Sequence, residues 1–73
     1  MKILDTIGTG WKIKETLKEH KMSQSELARK MGLTYLAVHK WTIGRTVPTI
    51  DNLIYLSEIF NKPIDDLIVT KNV

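Results

Sequence analysis

The chain has 73 residues, no cysteine, and 11 basic against 8 acidic side chains, for a formal net charge of +3. That length supports one small domain burying about 60% of its unfolded surface, and the missing cysteines exclude a disulfide framework and a cysteine-ligated zinc site. No apolar run approaches the roughly 20 residues of a membrane span, and Met1–Leu4 is too short for a signal peptide's apolar region, so the expected location is cytoplasmic.

Residues 1–9 read as a short N-terminal arm, which Gly8 and Gly10 make flexible, with the first helix beginning near Trp11. That helix turns Ile13 and Leu17 inward and scatters lysines, Glu15 and Glu19 outward, an amphipathic pattern. Ser23 and Glu26 form an S-x-x-E capping box and start the second helix. Its apolar face is Leu27, Ala28 and Met31, and Gly32 follows where a left-handed residue closes a helix without a Cβ clash. Thr34 caps a third helix whose inward residues are Val38 and Trp41, three apart. Two helices with so short a joint cross steeply, the arrangement that presents a second helix to a DNA groove.

Ile43 to Pro48 reads as a loop in which Gly44 permits a turn, and Thr49 caps a fourth helix from about Ile50 to Phe60. Ile50, Leu53, Leu56 and Phe60 are its buried face. Pro63 opens a fifth helix, where its missing N–H is harmless, and Asp65 and Asp66 favour the dipole of the first turn. Ile64, Leu67 and Ile68 close the core. The expectation is an all-α domain over residues 10–69, five short helices and no sheet, with residues 70–73 as a C-terminal tail.

Charge is unevenly placed along the chain. Lys12, Lys14, Lys18 and Lys21 lie in or near the first helix, Arg29 and Lys30 in the second, and Lys40 and Arg45 at the end of the third. Asp51, Glu58, Asp65 and Asp66 fall in the C-terminal third. This is the distribution of a phosphate-binding face with an acidic back. His20 and His39 read as solvated. Neither has a second histidine or a cysteine three or four residues away, so no metal site is expected. Asp65 and Asp66 are adjacent rather than facing, and no serine or threonine has triad spacing. The methionines and tryptophans are dispersed, with Trp41 read as core. Neither catalysis nor a cofactor is expected.

Taken in order, these motifs resemble the Cro/CI-type family, also called XRE or lambda-repressor-like helix-turn-helix domains. Ser23-Gln24-x-x-Leu27-Ala28 matches the family's second helix and Gly32-Leu33-Thr34 its turn. Gly44 and Pro48 match the Gly-x-x-x-Pro after its third helix. Leu53, Leu56 and Phe60, then Ile64, Asp65, Asp66 and Leu67, match its last two helices. The resemblance runs from about Ile13 to Ile68. It implies a compact five-helix domain that binds double-stranded DNA sequence-specifically, as a phage or bacterial transcriptional repressor acting as a homodimer.

Carried onto this sequence, the resemblance places Ser23, Gln24, Thr34, Tyr35, Leu36, Ala37, His39, Lys40 and Arg45 at the DNA. Gln24 is expected to bond a phosphate and brace the third helix, its plainer reading being a surface residue beside a cap. Free N–H groups at a helix start favour phosphate independently of any family. Lys40 suits guanine O6 and N7, and Leu36 a thymine methyl; a solvated lysine is the alternative for Lys40. Tyr35 suits a phosphate or the backbone, small Ala37 allows close approach, and Arg45 lies where the family often meets phosphate.

Two departures stand out. Leu17 and Thr42 occupy the positions of an arginine–glutamate pair that many members carry, and losing both together avoids a lone buried charge; an apolar contact is expected instead. Tyr35 and Leu36 replace residues that are often polar, and with Ile43 and Val47 they make an apolar face. Such a face reads thymine methyls or binds protein, so an antirepressor or antitoxin-like protein-binding module is the second expectation. Ile64, Ile68, Val69 and Val73 are the dimer candidates, Ile64 and Ile68 being equally suited to the core.

Overall fold

The computed structural model describes residues Met1–Val73. The first helix, α1, spans Thr6–Glu19, several residues earlier than the sequence suggests. Asp5 is its N-cap, accepting a bond from the Gly8 N–H at 2.9 Å. The expected flexible arm is therefore absent: Lys2–Leu4 form a strand, β1, and the glycines lie inside α1. Glycine weakens a helix interior by about 1 kcal/mol relative to alanine, but Gly10 is required by packing. A Cβ there would run into the Trp41 carbonyl oxygen and lie 3.2 Å from the Gly44 nitrogen.

The next helices are α2, Gln24–Met31; α3, Tyr35–Thr42; and α4, Ile50–Phe60. Each starts on a side-chain cap that satisfies an otherwise orphaned N–H. Ser23 Oγ accepts from Glu26 N at 3.0 Å, Thr34 Oγ1 from Ala37 N at 3.1 Å, and Thr49 Oγ1 from Asn52 N at 3.2 Å. Glu26 closes the capping box by accepting from Ser23 N at 3.2 Å. Gly32 ends α2 at φ +69°, and Asn61 ends α4 in the same left-handed region.

The fifth helix is only a 3₁₀ turn over Ile64–Asp66, closed by the bond from Leu67 N to Ile64 O at 2.8 Å. Beyond it, β-branched Ile68, Val69 and Thr70 favour extended backbone, and Val69 is claimed from both sides by α1. Its carbonyl accepts from Asp5 N at 2.8 Å, and its N–H donates to Thr9 Oγ1 at 2.9 Å. Thr70–Asn72 then form β2, antiparallel to β1 with Lys2 opposite Asn72, Ile3 opposite Lys71 and Leu4 opposite Thr70. The all-α expectation is thus corrected to four helices, one 3₁₀ turn and a two-stranded ribbon that takes up the expected tail.

Ile13, Leu17, Leu27, Ala28, Val38, Trp41, Leu53, Leu56, Phe60 and Leu67 form one core. Ile50, expected inside, is 70% exposed at the leading turn of α4. Leu17 belongs to the core, while the Thr42 hydroxyl turns to its own helix and donates to the His39 carbonyl at 2.8 Å. Ile64 and Ile68 pack against the core and Val69 is half-buried, leaving Val73 as the exposed member of the four dimer candidates.

Candidate nucleic-acid interface

The joint between α2 and α3 is fixed by backbone bonds across Gly32. Leu33 N donates to Ala28 O at 2.8 Å, and Gly32 N to Arg29 O at 3.3 Å. With Leu27 and Ala28 of α2 and Val38 and Trp41 of α3 buried, the opposite face of α3 stands in solvent. Tyr35 and Leu36 are about half exposed, Lys40 is exposed and Ala37 is half-buried. Ser23 and Thr34 are exposed caps at the starts of α2 and α3. Arg45 lies past the other end of α3, its N–H bonded to Lys40 O at 2.9 Å.

Gln24 and His39 meet across the two helices. Oε1 of Gln24 lies 3.1 Å from Nδ1 of His39. An amide oxygen only accepts, so Nδ1 is the donor, and the Gln24 amide nitrogen is left free for another partner. The His39 ring is also stacked on Tyr35, with centroids 5.5 Å apart and planes 12° apart. His39 is therefore half-buried in a bridge rather than solvated. His20 is exposed, as the sequence suggests, with its Nδ1 2.9 Å from Thr16 O and its ring 4.9 Å from that of Phe60.

Most of the cations are unpaired. The single ion pair in the protein joins Lys62 to Glu19 at 3.4 Å, so Lys14, Lys18, Arg29, Lys30, Lys40 and Arg45 have no carboxylate within ion-pair distance. At the start of α2, Glu26 is committed to the cap. The bond from the Ser23 N–H, then the Ser23 side chain, and lastly the charges of Arg29 and Lys30 hold its carboxyl below the usual glutamate range.

One part of this surface was not singled out from sequence. An open groove of about 340 Å³ runs between α1 and the start of α2, with Trp11, Lys14 and Lys18 on one side and Met22, Ser23 and Gln24 on the other. The spacing of Trp11, Lys14 and Lys18 was the available signal. No three His, Asp or Glu side chains stand close enough to hold a metal ion, and no helix is long and apolar enough to cross a membrane.

Two packed helices joined by a tight turn, with the second presented outward, define a helix-turn-helix protein. The helix-turn-helix family model matches residues 13–67, and the chain belongs to that family, of the Cro/CI or XRE type. No curated protein matches the sequence. Among solved structures, the chain is similar to the restriction-modification controller protein C.AhdI from Aeromonas hydrophila, with a TM-score of 0.78 and 22% identity over 86% of this chain and 91% of that one. It is similar to the DNA-binding domain of BldD at a TM-score of 0.74, with 17% identity over 88% and 93% of the two chains. The SOS-response transcriptional repressor LexA from Eubacterium rectale gives 0.79 and 20%, over 92% of this chain and 73% of that one. At these identities the likeness is one of fold.

Proposed function

We propose that the protein is a sequence-specific double-stranded DNA-binding transcriptional regulator, a repressor of the phage or bacterial kind. The observation that carries this reading is the seating of α3: Val38 and Trp41 anchor it from behind, and Tyr35, Leu36 and Lys40 face outward. In the major groove Lys40 donates to guanine and Leu36 meets a thymine methyl. Ser23, Gln24 and Thr34 face phosphates from the starts of α2 and α3, Tyr35 and Arg45 reach the backbone, and Ala37 admits the helix closely. His39 acts through Gln24. A homodimer would set two copies of α3 about 34 Å apart on a palindromic site.

The test is selection of a randomised duplex library at near-physiological salt, followed by sequencing. A palindromic motif with half-sites one turn apart supports a dimeric operator-binding regulator, and a single asymmetric motif supports monomeric binding. No enrichment by folded protein overturns the proposal. On the selected site, Lys40→Ala should cost about 1–3 kcal/mol and relax one base preference. Ala37→Glu should abolish binding with the fold intact.

A second reading has its own support. Tyr35, Leu36, Ile43 and Val47 are all exposed, which also suits a protein partner, as in an antirepressor or antitoxin-like module. Salt separates the two. DNA affinity falls steeply with salt as counterions are released, whereas an apolar contact between proteins changes little.

A further inference from the structure

Trp11 is 60% exposed, although it lies in the middle of a helix whose other face is core. It occupies one face of α1 with Lys14 and Lys18, at spacings of three and four residues. Neither lysine has an acidic partner within ion-pair distance. Facing them across the groove are Met22, Ser23 and Gln24. The groove is therefore continuous with the start of α2, which the functional reading places against phosphate.

Resting on that reading, we propose that this groove is a second backbone-binding site, which takes the sugar–phosphate strand of DNA flanking the stretch read by α3. Two lysines against one acid, Glu15, give the groove the charge to hold phosphate. The indole supplies what lysines alone do not: an apolar face for a deoxyribose and an N–H donor for a phosphate oxygen. The groove is also held rigidly relative to the reading helix. Gly10, next to Trp11, lies against the Trp41 carbonyl, and a Cβ at Gly44 would come within 2.9 Å of Ile7 Cα. With α1 locked in this way onto the end of α3, the Trp11 contact comes at little ordering cost when α3 is seated.

The chain reports on this directly, because it has two tryptophans and Trp41 is only 5% exposed. Acrylamide quenching therefore reads Trp11. On a duplex carrying the selected site with long flanks, Trp11 should become shielded. Trp11→Ala should weaken binding about five- to tenfold, with unchanged base preference and an unchanged thermal melt. On duplexes trimmed to the motif alone, Trp11→Ala and wild type should bind alike. Lys14→Ala and Lys18→Ala should each lower the salt slope by about one.

Unchanged quenching together with unchanged affinity of Trp11→Ala overturns the inference while leaving the functional reading in place. Equal loss on long and trimmed duplexes also overturns it, since Trp11 would then act within the domain rather than on the flank. So does shielding of Trp11 by an acidic protein but not by duplex. A wild-type chain that retains no duplex at low salt fells the functional reading first, and this inference with it.

Discussion

Nδ1 of His39 lies 3.1 Å from Oε1 of Gln24, a bond that joins α3 to the start of α2 through two side chains fifteen residues apart. With Oε1 turned inward to His39, the amide nitrogen is left as a donor, which the proposed function assigns to a phosphate. His39→Ala and Gln24→Ala should therefore act as one lesion. Each is expected to weaken DNA binding similarly on every sequence, and the double variant should lose little more than either alone. A double-mutant cycle measures this, and additive losses would show that the two side chains work separately. His39→Asn, which can place an amide N–H where Nδ1 stands, should recover part of the loss.

Gly10 and Gly32 should respond in opposite ways to enlargement. Gly10→Ala drives a methyl into the Trp41 carbonyl, an overpacking that costs about 1–3 kcal/mol and outweighs alanine's better helix propensity. At Gly32 nothing lies within 4 Å of a built Cβ, so the only obstacle is its φ of +69°. Gly32→Asn should be nearly silent, because asparagine tolerates that region. Chemical denaturation of both variants gives the comparison.

Thr9 is 1% exposed, and its hydroxyl serves Val69 twice, accepting from its N–H at 2.9 Å and donating to its carbonyl at 3.4 Å. Thr9→Val keeps the shape but strands the Val69 N–H. The expected loss is about 1–3 kcal/mol, accompanied by faster hydrogen exchange at Val69. Equal exchange in the two proteins would mean that another group takes over the bond.

Glu26 makes the capping box sensitive to acid. Its folded pKa lies below the unfolded one, chiefly because the Ser23 N–H and then the Ser23 side chain bond to the carboxylate. The contribution is therefore fully present above the unfolded glutamate range and is lost as pH falls through the lower folded value. Glu26→Gln keeps a capping box but removes this titration. Thermal melts of the variant should vary less with pH across the acidic range than those of wild type, which should be the more stable at neutral pH and lose that advantage as pH falls.

The elements legible in the sequence are those with a signal at both ends. Ser23, Thr34 and Thr49 mark helix starts, Gly32 marks an end, and Leu53, Leu56 and Phe60 keep helical spacing. Asp5 makes the same bond to the third residue on, yet it was masked by Gly8 and Gly10, which read as flexibility when they are sites of close packing. Three-residue strands are too short to show alternation, so the ribbon left no pattern beyond the β-branched run at Ile68–Thr70. Among the candidate site residues, the outward set on α3 followed from burying Val38 and Trp41. The Gln24–His39 bond did not, since a contact fifteen residues apart depends on the angle between two helices rather than on any spacing. The groove beside Trp11 has the same origin.

The ribbon gives the folding of the chain an order. Its strands pair Lys2 with Asn72, closing a loop of nearly the whole chain, whereas α2 and α3 pack across a three-residue joint. Closure entropy grows with the length of chain enclosed, so the jointed helices can assemble on local contacts while the ribbon waits for almost everything else. It should zip last and open first, as a subglobal event. The N–H of Val73, bonded to Met1 O at 2.9 Å, should exchange with solvent well before the amides inside α3.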